Sequence, residues 1–197
     1  MKLYFSLIAV FVFFLNPGIG KSQEKNRFAV GLEGGYRIYS GCFFIDYNIS
    51  GNLTITSGFS QDRYQGLGIS PGILYYFMQK RRIRTLVGLL YQREIGLKFS
   101  YDRGNDLLTT FKTKDANYLI PMTGIRYNGL GSDTGSGLSL SAILKLGYRI
   151  NSSISPGVSY VSGPSYPEKL QQISDHMNNS FIASVGIILN FGRKHSL

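Results

Sequence analysis

The sequence predicts an all-β fold: an eight-stranded antiparallel up-and-down transmembrane β-barrel preceded by a cleaved signal peptide. Three observations lead there. Apolar residues alternate with small or polar ones over eight separate stretches, at the two-residue period of a strand. Charged residues make up only 16% of the 197, against roughly 25% in an average soluble domain. The chain also opens on a short basic and apolar leader. With one Cys and two His, the composition offers no intrachain disulfide and no Cys-based zinc site, and it argues against a His-driven catalytic centre.

Residues 1–20 read as the signal peptide. Lys2 supplies the positive start and Leu3 to Leu15 the apolar run, and small residues allow cleavage after Gly20 or Ser22. That run is too short to span the ~30 Å of a bilayer core as a helix. Residues 21–197 then form a single barrel domain, with its strands within 27–192. The net charge of +10 is of the kind nucleic-acid binding uses, but an exported chain does not meet nucleic acid, and the basic residues are dispersed apart from Lys80 to Arg84.

Each strand has one apolar face. Phe28, Val30, Leu32 and Tyr36 alternate with Ala29, Gly31, Glu33, Gly35 and Arg37. Phe43, Ile45 and Tyr47 alternate with Phe44 and Asp46, and Leu53, Ile55 and Phe59 with Thr54, Thr56 and Gly58. In the fourth strand Leu67, Ile69, Pro71, Ile73 and Tyr75 oppose Gly68, Ser70, Gly72, Leu74 and Tyr76. The fifth is long, from Thr85 to Tyr101, with Glu94 and Lys98 on its polar face. The sixth, Ala116 to Tyr127, is less regular; Pro121 and Gly124 interrupt it, and a bulge near Gly124 would switch its outward face. In the seventh, Leu138 to Ile150, Lys145 and Arg149 share the polar face. The last places Phe181, Ala183, Val185, Ile187, Leu189 and Phe191 on one side. Short turns (50–52, 79–84 and the Gly- and Ser-rich 128–137) alternate with longer loops, 102–115 and 151–180, which is the plan of a membrane barrel.

The polar face is the one to turn inward. It is rich in Gly, as a narrow eight-stranded interior requires. It carries both signs of charge, which a lumen tolerates and a lipid face does not. Glu33, Asp46 and Glu94 with Arg37, Lys98, Lys145 and Arg149 are therefore expected as a lumen charge network. Aromatics near the strand ends, Phe28, Tyr47, Tyr75, Phe77 and Phe191 at one end and Tyr36, Phe43, Phe99, Tyr101, Tyr148 and Phe181 at the other, suit two interfacial girdles.

These features resemble the small eight-stranded outer-membrane barrels of the OmpA/OmpX-like, porin-like kind found in Gram-negative bacteria. The resemblance covers residues 27–192. Its most specific piece is the last strand: Phe181, Val185, Ile187, Leu189 and the closing aromatic Phe191 resemble the assembly signal read by the outer-membrane assembly machinery. Tyr118 to Met122, with Pro121 inside an apolar strand, resembles another family motif. Six residues follow Phe191, where the strictest members end on it. The resemblance implies a location in the cell outer membrane among its lipids and lipopolysaccharide. It says little about function; the reading adopted is a monomer without cofactor or metal, in a non-catalytic role in which loops 102–115 and 151–180 present a surface outside the cell. The alternative is a small transport channel or a lipid-modifying barrel enzyme.

The residues favour the non-catalytic role. Ser174, Asp175 and His176 are adjacent on one loop and so do not converge, and Gly31 to Gly35 precedes no helix and is no phosphate loop. Phe44, Leu74 and Tyr76 would fill the interior. Cys42 is expected inside and reduced. Arg93 breaks the outward apolar face of the fifth strand; it is expected near the outer membrane boundary, reaching lipid phosphates, or turned by a bulge into the lumen.

Overall fold

The computed structural model describes residues 26–36, 39–62, 64, 66–77, 82–102, 104, 108–129, 138–153, 157–178 and 180–192. The leader, Arg37, Lys80, Arg81 and everything after Gly192 lie outside the described residues.

Eleven strands and one helix are present among them: β1 (Asn26–Tyr36), β2 (Tyr39–Asn48), β3 (Leu53–Asp62), β4 (Gly66–Tyr76), β5 (Ile83–Glu94), β6 (Lys98–Asp102), β7 (Leu108–Thr113), β8 (Ala116–Asn128), β9 (Leu138–Asn151), β10 (Val158–Ser162), α1 (Pro167–Met177) and β11 (Ser180–Gly192). Eight strands close an antiparallel barrel in the order β1-β11-β9-β8-β5-β4-β3-β2. β10, β7 and β6 form a separate three-stranded sheet. The seam is closed by Phe28 opposite Phe191 and Tyr36 opposite Ala183.

Alternation sorts every barrel strand. Leu32, Phe43, Phe59, Ile69, Val87, Ile125, Leu144 and Val185 stand outward and exposed, while Ala29, Phe44, Leu74, Leu90, Ile120, Ile143, Ile182 and Ile188 are buried between them in sequence. In β8 the even-numbered residues stay inward from Ala116 to Arg126, and Gly124 pairs in register with Leu86 and Lys145. No bulge switches its face. Gly124 instead allows close approach, since a Cβ there would run into the Leu144 carbonyl.

The fifth strand departs from expectation. Barrel pairing ends at Glu94, opposite Ala116, and residues 95–97 have no regular structure. The chain then enters the small sheet as β6. The corner is pinned where the Gly96 N–H donates to Asp115 Oδ1 (2.9 Å) and the Leu97 N–H to Thr113 Oγ1 (2.8 Å). The two stretches expected as loops are largely ordered. Residues 102–115 contain β7, and 151–180 contain β10 and α1.

The sheet and helix share a core at one end of the barrel, the cap end. Phe111 is fully buried between Phe99 (5.8 Å between centroids) and Tyr160 (5.3 Å). Ile173 and Met177 of α1 are buried in the same cluster, with Tyr64 from the β3–β4 connection. Phe99 and Tyr101, expected in an outward girdle, are therefore cap residues. At the opposite, turn end, Phe28 lies beside Phe191 (6.0 Å) and opposite Tyr47, and Tyr75 meets Phe77 edge-on (5.0 Å).

Candidate functional site

The chemistry-bearing side chains concentrate along the barrel axis, because the strands place every second residue there. Among the described residues three acids (Glu33, Asp46, Glu94) and three cations (Arg126, Lys145, Arg149) are buried inside. They fall into three tiers.

At the turn end, Arg126 lies over the Tyr76 ring (5.5 Å), donates to its hydroxyl (3.4 Å) and to Asn190 Oδ1. Asn190 in turn donates to the Ser139 carbonyl (3.0 Å) and Ser141 Oγ (2.9 Å). In the middle tier Lys145 Nζ meets Glu33 Oε2 at 2.8 Å and sits 4.5 Å above the centre of the Phe44 ring. Ser184 Oγ adds a contact to Glu33 at 3.4 Å. Asp46, opposite Thr56 on β3, faces the fields of Lys145 and Arg126. At the cap end Arg149 Nη1 lies 3.7 Å from Glu94 Oε1 and stacks over Tyr118 at 4.3 Å, while Gln92 Nε2 donates to the same Glu94 oxygen at 2.7 Å. Each cation thus has an aromatic face beside it, which helps to offset the loss of water.

The helix completes the cap-end tier. Pro167 starts α1 at its first turn, where its missing N–H is not needed. At the other end the last carbonyls are met by barrel donors: Asn151 Nδ2 donates to Met177 O (2.7 Å), the Tyr118 hydroxyl to Met177 O (3.3 Å), and Arg149 to His176 O. A helix C-terminus carries partial negative charge, so a buried guanidinium suits it. Buried Lys169 anchors the far side, with its Nζ over Tyr101 (4.4 Å) and bonded to Gln172 Oε1 (2.8 Å).

Of the residues expected in the lumen, the structure brings Glu33 to Lys145 and Glu94 to Arg149 and buries Asp46 on the same wall. Lys98 is not there. Its strand has left the barrel, and Lys98 is exposed on the small sheet, directly opposite Lys112. Arg37 lies outside the described residues. Arg93 points outward at the end of β5, 3.5 Å from Asp115. The expected lumen network left out Arg126, Gln92 and Asn190, although alternation already sets Gln92 and Asn190 on inward faces. For Arg126 the signal was present, since unbroken alternation from Ala116 puts it inside. Phe181, Val185, Ile187, Leu189 and Phe191 all stand exposed on the outer face of β11.

The arrangement is built for ion pairing and filling. Phe44, Leu74 and Tyr76 occupy the interior, and Cys42 is buried as a free thiol beside Gly58. Ser174, Asp175 and His176 lie successively on α1, each turned about 100° from the last. Asp175 accepts from Gln171 (2.8 Å), and His176 meets Tyr64 edge-on at 5.2 Å. Among the described residues no group of acids, His or Cys is placed to hold a metal.

No family model and no curated protein matches the chain. Among solved structures it is similar to the N-terminal β-barrel domain of Pseudomonas aeruginosa OprF, at 12% identity over 85% of this chain and 100% of that one, with a TM-score of 0.45.

Proposed function

We propose that the chain is a non-catalytic outer-membrane β-barrel that holds its sheet-and-helix cap outside the cell as a structural or binding surface. One observation carries this reading: the barrel is inside-out. Charged residues are buried along the axis, and the apolar ones, from Leu32 (66% exposed) to Val185 (63%), cover the outer wall. A soluble monomer rarely exposes contiguous apolar patches beyond a few hundred Å². A hydrocarbon surround removes that cost, and the closed barrel leaves no unpaired strand edge within it. The filled interior supports an anchor rather than a diffusion channel. The outward row Phe181, Val185, Ile187, Leu189 and Phe191 suits recognition by the assembly machinery, and isolated pairing of all barrel strands suits a monomer.

The test is flotation of the refolded protein with lipid vesicles, alongside Leu144→Arg on the outer wall and Ser141→Ala inside. Wild type and Ser141→Ala should float, and Leu144→Arg should lose ~2–4 kcal/mol of stability in the bilayer. A protein that stays monomeric in detergent-free buffer and ignores vesicles would refute the reading.

A further inference from the structure

The outer wall carries a groove just below the cap. β4 and β5 keep one register, with Ile69 opposite Arg93 and Gly72 opposite Leu90, but the ladder is interrupted between those pairs. Pro71 is the cause, since it has no N–H to donate. On its other side Pro71 remains paired with Ser57 of β3, so the gap opens only toward β5. Ile69, Pro71, Tyr91 and Ile95 line the resulting groove of about 450 Å³, and Arg93 and Asp115 border it on the cap side.

The cap above presents several exposed cations near the groove. The Arg93–Asp115 contact is long at 3.5 Å, and both side chains are more than half exposed. Asp115 already accepts the Gly96 N–H through its other oxygen. Lys98 and Lys112 stand directly opposite one another on β6 and β7, both exposed, and Lys114 is exposed next to Asp115. Among the described residues no acid pairs with any of these three lysines. Like charges directly opposed across a sheet are destabilising unless an anion lies between them. Arg93 and Lys98 are five residues apart, so their Cα atoms are separated by at most ~17 Å.

We infer that the groove and the cations above it form a docking site for a multiply acylated disaccharide with a phosphate at each end, the lipid A class of glycolipid. One acyl chain lies along Ile69, Pro71, Tyr91 and Ile95. One phosphate meets Arg93, and the second bridges Lys98 and Lys112. A glycerophospholipid with a single phosphate, such as phosphatidylglycerol, would satisfy one cation site and leave the other unrelieved. The inference rests on the membrane reading above, which sets the groove at the upper edge of the apolar wall.

Native mass spectrometry in detergent tests it, with purified bis-phosphorylated lipid A, its mono-phosphorylated form and phosphatidylglycerol as probes. The wild type should retain one bis-phosphorylated molecule about tenfold better than either of the others. Lys98→Glu with Lys112→Glu should abolish that preference, and so should Ile69→Trp, which fills the groove. Ile95→Trp, outside the barrel strands, repeats the groove test if Ile69→Trp does not fold. Equal retention of all three lipids, or a preference that survives the charge reversal or both Trp variants, would overturn the site. Vesicle flotation of the same preparations separates the two readings. Protein that inserts without lipid A preference overturns this site alone, and protein that does not insert overturns the membrane reading beneath it.

Discussion

Arg149 ties the barrel to the cap: it meets Glu94, the Tyr118 ring and the helix carbonyl of His176. A buried charge that loses its partner has no water to fall back on, and breaking such a pair costs ~3–5 kcal/mol. Glu94→Ala should therefore lower thermal stability in detergent far more than Glu168→Ala, which removes an exposed carboxylate on α1. Equal shifts in melting temperature would contradict the assigned burial. Outside the barrel, Asp115 behaves differently. The Gly96 N–H holds its carboxyl below the usual range, opposed by partial desolvation and reinforced by Arg93. A depressed acid contributes stability that is complete above its unfolded value of about 4 and is lost as pH falls through the lower folded value. Amide exchange at Gly96 should thus be slow and pH-independent in its protection above about pH 4, and protection should fall below it. Unchanged protection at pH 2 would show that the corner is held by Leu97 and Thr113 alone.

Between elements, the division of labour lies between the barrel strands and the cap. α1 is docked through Ile173, Met177 and three donors to its last carbonyls, and it makes no ladder with the barrel. Ile173→Ala should cost ~2–4 kcal/mol locally. Limited proteolysis should then cut within 163–178 while the barrel stays resistant; cleavage throughout would mean that cap and barrel unfold as one unit. This division also marks what was legible in the sequence. Barrel strands show in sequence because their two faces meet opposite surroundings, so the outward row stays apolar at every second residue from Leu138 to Ile150 and from Phe181 to Phe191, even though Ile143, Ile182 and Ile188 are also apolar on the inward face. The departure of the chain at Glu94 leaves no such trace. Leu97, Phe99 and Tyr101 keep alternating, but the apolar side now faces the cap core and Lys98 faces water. Alternation reports that a strand has two faces and is blind to which sheet it joins. α1 was missed for a related reason: its buried Lys169, Ile173 and Met177 recur every four residues for only two turns, and one of the three is charged.

Taken as a single body, the molecule is a closed cylinder with unlike ends. The tight turn at 49–52 and the Phe77 N–H bonded to the Thr85 carbonyl mark one end, and the sheet and helix cover the other. With three ionic tiers and packed aromatics on the axis, planar-bilayer recordings should give no steady conductance, even after Ile173→Ala loosens the cap. A stable open level in the wild type would mean that the tiers move aside and would revive a transport role.

Closure between β1 and β11 sets Asn26 opposite Gly192, so the barrel's first and last strands leave it at the same rim. A short linker could join them, and new termini could be cut between β4 and β5. Such a circular permutant would keep every pairing and every tier, yet the strand synthesised last would be β4, whose Pro71 interrupts the outward row. Refolding in detergent should be nearly unaffected. Biogenesis in the cell should fail, if what the machinery reads is the identity of the final strand and not the finished cylinder. The join at the seam therefore offers a way to pull apart the ability to form the barrel from the proposed recognition of its final strand.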